Sequence, residues 1–469
     1  MKSFWKKLSL FCGIQLLFVS LVFSQLSLPP VFSDHMILQQ ESTVRIWGKA
    51  APDTKVLLKG SWPKGKYTVK SDTTGKWVAT FESPSAGGPY QLNIKNEDEE
   101  LLFQDIMFGE VWLCSGQSNM NWSVKKTDHA EEAIPQANFP EIRMFKVERA
   151  MADAPSKEFN GEWELTTPET VGEFTAVGYY YALELHKKLG VPVGIIHSSW
   201  GGSSVGAWIP PSRLVQLTEF TSDSSEYRRI RTKKRNQTSP SLLFNGMIYP
   251  LVPLEIKGVL WYQGEANVGY PDLYKKLFKL MIRSWRETWN IGDFPFYYVQ
   301  IAPFDYPNKK EYDAALLREA QWESQKIRNA DMVVTMDLGN PKDIHPRTKL
   351  PVAKRLANLA LGDTYNVPDL KYNSPSYIFM KTEGAAIRLY FDHTYGALKS
   401  NSETLSDFEI AGEDKVFKPA TAIIEGETVL VSHPDIAEPK MVRYAWDNGD
   451  TSTLLNAADL PSSSFRTQK

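Results

Sequence analysis

The sequence predicts an α/β protein, a core built on a mainly parallel sheet with β modules before and after it. Three observations lead there. A chain of 469 residues, 42% hydrophobic and 12% aromatic, can fill more than one core, since single cores stop growing near about 250 to 300 residues. Between residues 106 and 366, apolar strand-like runs alternate with longer helical stretches, the pattern of βαβ units around a parallel sheet. On either side of that region, short strands return, punctuated at the amino end by Gly, Pro and Asp turns.

The elements follow in order. Lys2, Lys6 and Lys7 precede an apolar stretch from Leu8 to Phe23 that ends at Ser24, the charged head, short apolar middle and small final residue of a secretory signal peptide. Cys12, Gly13 and Gln15 interrupt the run, which falls short of the roughly 20 apolar residues of a membrane span. Residues 1–24 are therefore expected to be cleaved and the rest exported, to the periplasm or the medium, with no membrane association afterwards. Only Cys114 then remains, so no intramolecular disulfide is expected. Residues 25–105 read as an N-terminal β-sandwich, with runs such as Ser42–Trp47 and Lys55–Leu58 between turns at Ala51-Pro52-Asp53, Thr74-Gly75 and Ala86–Pro89. Residues 106–366 carry strands at Val111–Leu113, Val193–His197, Gly258–Tyr262, Phe296–Gln300 and Met332–Met336, with helices over Gly178–Leu189 and Leu273–Trp289. Residues 367–469 form a C-terminal β module, with strands such as Ala386–Tyr390 and Thr428–Val431.

Charge narrows the partners. Lys+Arg 53 against Asp+Glu 55 leaves a formal −2, and no basic block interleaved with aromatics tracks a phosphate backbone, which argues against nucleic acid. The 14 Trp and 20 Tyr suit stacking on sugar faces, although aromatics also fill cores.

Chemistry in such a sheet belongs just after the carboxyl ends of its strands. After Val111–Leu113 comes Cys114-Ser115-Gly116-Gln117-Ser118-Asn119-Met120, where Gly116 permits a tight bend and Ser118 heads a helix. A serine there either caps the helix or serves as an exposed nucleophile whose own N–H faces an oxyanion. The company it keeps favours the second role. Trp200-Gly201-Gly202-Ser203 offers unshielded backbone N–H groups, and Gln263-Gly264-Glu265-Ala266-Asn267 offers a side-chain amide. Among seven His, His345 stands in the loop Asp343-Ile344-His345-Pro346 with carboxylates close by, as a base for serine should. His197, inside an apolar run, reads as a packed residue. No paired His/Cys spacing suits a metal.

These motifs together resemble the sialate O-acetylesterase family of SGNH-type hydrolases. The resemblance extends to Pro30–Met36, Leu243–Met247, Val442–Trp446 and Leu460-Pro461, nearly the whole exported chain. It implies a flavodoxin-like three-layer α/β/α core flanked by β-sandwich modules, acting on O-acetylated sialic acid with no metal or organic cofactor. Position by position it implies Ser118 as nucleophile, His345 as base, and Gly202 and Gln263 as oxyanion donors beside the N–H of Ser118. One departure matters: many SGNH enzymes carry the acid three residues before the histidine, where this chain has Lys342. The orienting group is then Asp343, Asp337 or a backbone carbonyl, with Asp343 ranked first. Glu265, Asn267 and Trp200 are candidate substrate contacts, and Trp208, Trp261 and Tyr262 candidate walls for the sugar. Two rival readings stay open, an acetylesterase for a plant polysaccharide such as xylan or pectin and a non-catalytic glycan-binding protein. The sugar position attacked and the oligomeric state are not legible in the sequence.

Overall fold

A computed structural model describes residues 25–220 and 235–468. The expected signal peptide lies outside the described residues. The amino-terminal module contains β1 (Ile37–Gln39), β2 (Thr43–Lys49), β3 (Lys55–Gly60), β4 (Lys66–Lys70), β5 (Lys76–Glu82) and β6 (Gly87–Lys95). Strict alternation drives it: β5 buries every second residue, Trp77, Ala79 and Phe81, against Val44 and Ile46 of β2, its antiparallel partner. The next strand, β7 (Glu100–Gly116), begins in that module, paired with β6, and runs on into the central sheet. The expected boundary at 105/106 therefore falls inside one continuous strand.

After β7 come α1 (Ser118–Asn121), β8 (Phe139–Val147), β9 (Gly161–Thr166), α2 (Ala176–Leu189), β10 (Val193–Ser199), β11 (Gly258–Tyr262), α3 (Pro271–Trp289), β12 (Phe296–Val299), α4 (Asp313–Trp322), β13 (Ala330–Val333) and α5 (Lys349–Asp363). The central sheet has the order β13-β12-β11-β7-β10-β8-β9, parallel throughout except for the antiparallel edge strand β9. Burial on both faces follows from the near-continuous apolar runs of its strands, as parallel sheets require. Successive β7 residues serve opposite layers: Val111 and Leu113 pack with Trp261 and the aromatic face of α3, Trp112 and Cys114 with Tyr181 of α2 and Leu356 of α5. Chain order reverses about β7, since β10 pairs on one side of it and β11 on the other. Such a switch point opens a crevice at the carboxyl end of the strand.

The carboxyl-terminal module holds β14 (Ser376–Glu383), β15 (Ala386–Asp392), β16 (Leu398–Ser400), β17 (Phe408–Ala411), β18 (Lys418–Pro419), β19 (Thr421–Glu425), β20 (Thr428–Ser432), β21 (Met441–Tyr444), β22 (Leu454–Asn456) and β23 (Phe465–Arg466). They form sheets β14-β15-β20-β19, β18-β17-β21-β23 and the pair β16-β22.

A buried arginine pins each module to the core. Arg143 of β8 donates to the carbonyls of His35 and Pro140 and to the carboxylate of Asp105, at 2.9 Å each. Arg318 of α4, fully buried, donates to the carbonyls of Ala445, Asp447 and Asn448 and to Ser464 Oγ, and burial holds its guanidinium down at about 10. Removing such a donor strands several buried acceptors at once. Arg318→Met is therefore expected to cost about 1 to 3 kcal/mol, read as a lower urea midpoint, and an unchanged midpoint would count against the pin.

Candidate active site

The register of the sheet assembles the site. Gly116 lies opposite Ser199 on one side and Tyr262 on the other, so β10, β7 and β11 end level. The segments that follow them, Trp200–Ser203, Gln117–Ser118 and Gln263–Asn267, emerge side by side. Gly116 is at φ +132, and a Cβ there would lie 2.2 Å from the Tyr262 carbonyl oxygen, so only glycine lets the strand turn into α1.

Ser118, half-buried, opens α1, but the N-cap is Gln117 and no side-chain cap bond is made. Its Oγ lies 2.8 Å from Nε2 of His345. A neutral ring accepting there carries its proton on Nδ1. Trp122 stacks on the imidazole, with ring centroids 5.1 Å apart and planes 16° apart. Burial, and then the nearby Lys349 ammonium, lower the His345 pKa below the ordinary imidazole value, while Asp343 opposes them.

The candidate acids lie elsewhere than on the ring. Asp343 is exposed, and its Oδ1 accepts the backbone N–H of His345 at 2.9 Å, a side-chain turn that shapes the loop. Asp337 holds Arg355 by two bonds, Nη1 to Oδ1 at 2.7 Å and Nη2 to Oδ2 at 2.5 Å. Among the described residues, no carboxylate comes within ion-pair distance of the His345 ring.

Where the sequence predicts oxyanion donors, the N–H groups of Ser118 and Gly202 have no acceptor among the described residues. Gly202 turns at φ +72, and a Cβ on its neighbour Gly201 would sit 3.4 Å from Ser118 Cβ. Gln263, fully buried, donates its Nε2 to Ser203 O at 3.1 Å and to Asn267 Oδ1 at 2.7 Å, and its Oε1 is unpartnered. Asn267 Oδ1 also accepts the N–H of Val205, so its Nδ2 is the amide group of this pair left unengaged.

Glu265 takes a bond from Asn119 Nδ2 and is buried behind the site. Trp200 is half-buried, with the Arg149 guanidinium 5.7 Å above its ring. Trp208, Trp261 and Tyr262 are not walls of the site: each is almost wholly buried, the two tryptophans packed edge to face with their ring centroids 6.0 Å apart. The face of α3 covers the two tryptophans and the opposite core layer holds Tyr262, and these were the stronger claims on their apolar surface. His197 is a packed residue bonded to Ser199 Oγ at 2.7 Å. A cavity of about 850 Å³ opens at the carboxyl ends of β8 and β10, with Asn121, Ser123, Lys146, Arg149 and Ser199 in its lining. Among the described residues, no group of three or more His, Cys, Asp or Glu is placed to hold a metal ion, and no helix is long and apolar enough to cross a membrane. Sequence reasoning missed Trp122 and Lys349. The tryptophan's position four residues after the candidate nucleophile was a usable signal, while nothing local marks Lys349.

Residues 108–361, more than half of the chain, match the family model described as carbohydrate esterase, sialic acid-specific acetylesterase. A sialate O-acetylesterase from Homo sapiens is 30% identical over 384 residues, covering 73% of this chain and 72% of the relative. One from Mus musculus is 27% identical, covering 88% of each. The crystal structure of a carbohydrate acetylesterase from Xanthomonas citri superposes with a TM-score of 0.87 at 36% identity, covering 95% of this chain and all of that one. With a central mostly parallel sheet, flanking β modules and these relatives, the chain belongs to the sialic acid-specific acetylesterase family and is a carbohydrate O-acetylesterase.

Proposed function

We propose that the chain is an exported serine esterase that removes O-acetyl groups from sialic acid, with Ser118 and His345 as the working pair. The contact at 2.8 Å between Ser118 Oγ and His345 Nε2 carries the reading. His345 takes the hydroxyl proton as Ser118 attacks the acetyl carbonyl, then returns it to the departing sugar alcohol, and water frees acetate from the acyl-enzyme in the second step. The N–H groups of Ser118 and Gly202 receive the oxyanion, with a side-chain amide supplied by the Gln263–Asn267 pair. Asp343 acts through the turn that carries His345 and by favouring the imidazolium as it forms. The strand order, which without β8 and β9 reads 2-1-3-4-5, supports a flavodoxin-like core of the SGNH type.

The acetyl group is small, so selectivity rests on the sugar. Trp200 and Arg149 beside the cavity are proposed as a ring platform and a cation for the sialic acid carboxylate. Acetate release from O-acetylated sialic acid, set against acetylated xylan, tests the substrate, and a clear preference for xylan would overturn it. Arg149→Ala is expected to raise KM for the sialate severalfold and leave KM for a neutral aryl acetate alone.

Ser118→Ala and His345→Ala should each lower kcat by about 10³-fold or more, and the double variant should fall little further. Fully additive losses would argue against a single unit. Because the His345 pKa is lowered and the neutral ring is the active form, kcat/KM should stay high as pH falls and drop only below about 6.5. An acid limb above that value would contradict the reading. Asp343→Asn, which keeps an acceptor for the His345 N–H, should cost less than about tenfold, well short of the roughly 10⁴ lost when a ring-bonded triad acid is amidated.

A further inference from the structure

Behind the working pair lies a buried charged network that the acyl transfer does not use. Lys349, the first residue of α5, is fully buried and donates its Nζ to Asn119 Oδ1 at 2.6 Å. Asn119 follows Ser118 directly. Its Nδ2 donates to Glu265 Oε1 at 2.5 Å and to the carbonyl of Ile344, the residue before His345, at 3.1 Å. One amide thus joins the helix of the nucleophile, the turn after β11 and the loop of the base. The Lys349 ammonium stands 5.8 Å over the ring of Trp122 and 5.4 Å over that of Tyr262, and Trp122 is the ring stacked on His345.

Burying an ammonium and a carboxylate is costly unless each is well paired, and apolar residues of like volume usually serve the fold as well. Here the two make no direct ion pair, and Glu265 Oε2 has no side-chain partner among the described residues. Burial holds Lys349 down to about 7 and raises Glu265. A pair kept at such a disadvantage, one amide away from both the nucleophile and the base, has a use other than stability. Resting on the Ser118–His345 reading, we propose that Lys349 and Glu265, joined through Asn119, are positioning residues that lock Ser118 and His345 at contact distance. The ammonium, over the Trp122 ring that stacks on His345, also disfavours the imidazolium. This network takes the orienting part that a ring-bonded carboxylate has in a triad. The charged groups facing Lys349 and the ring are Glu265 from the turn after β11, Asp343 from the loop of His345, Asp128, and Lys126.

The test uses the exported chain with 4-nitrophenyl acetate, measuring kcat and KM across pH. Lys349→Met should lower kcat about tenfold or more with KM little changed, and should move the acid limb to higher pH, because removing a nearby cation favours the imidazolium. Lys349→Arg should leave the limb close to that of the parent. A limb that does not move in Lys349→Met would reduce the network to packing and overturn the proposal. Glu265→Gln preserves shape and covers the case in which Lys349→Met does not fold: kcat should fall and KM hold, whereas a raised KM with unchanged kcat would make Glu265 a sugar contact and overturn the proposal. Labelling of the parent by a serine-directed phosphonate separates the two levels, since failure to label Ser118 would sink the nucleophile assignment itself whatever Lys349 does.

Discussion

The site depends on one backbone constraint, the turn at Gly116. There β7 ends level with its neighbours, and the Tyr262 carbonyl approaches so closely that no side chain fits. That close approach lets Ser118 stand at the head of α1, in reach of the segments that leave β10 and β11. A side chain at position 116 would push β7 away from β11 and separate Ser118 from the Gln263–Asn267 turn. The register does the rest, since a parallel sheet whose central strands end together presents its following loops as one surface.

Around that surface the polar groups fall into two kinds. Some are engaged and hold shape: the Arg143 and Arg318 pins, the Asp337–Arg355 fork and the Nε2 of Gln263. Others are held in place with one group unengaged, namely the N–H of Ser118, the N–H of Gly202 and the Nδ2 of Asn267. Rigid support behind unengaged donors is the arrangement that oxyanion stabilisation needs, because donors already oriented require no rearrangement as charge develops.

Much of this was legible in sequence, and for local reasons. The β11 run, Gly258–Tyr262, appears with the bounds its apolar pattern predicts, and the helix expected from Leu273 begins only two residues earlier, at Pro271. The strand expected at Met332–Met336 instead occupies Ala330–Val333, because the apolar run continues past the last ladder pair with β12. Strands β8 and β9 escaped notice, since charged residues such as Arg143, Glu162 and Glu164 interrupt their apolar pattern. The roles of single side chains were harder to read wherever a distant partner decides them. Asp337 is claimed by Arg355, nearly two turns into α5, and nothing around Lys349 in the sequence announces that the fold closes Asn119 and two aromatic rings over it. Trp208 and Trp261 stood as candidate sugar walls, with core packing the alternative, because the cover that decides between the two comes from the later helix α3.

The central claim is that an acetyl group passes through Ser118, and the most direct measurement is to catch it there. O-acetylated sialic acid carrying a labelled acetyl group would be mixed with the purified protein, quenched in acid within the first turnovers, and the digest read by mass spectrometry. The account predicts one labelled acetyl on the peptide that contains Ser118, absent when the substrate is omitted. Acetate release with no adduct on Ser118, or an adduct on a different residue, would contradict it.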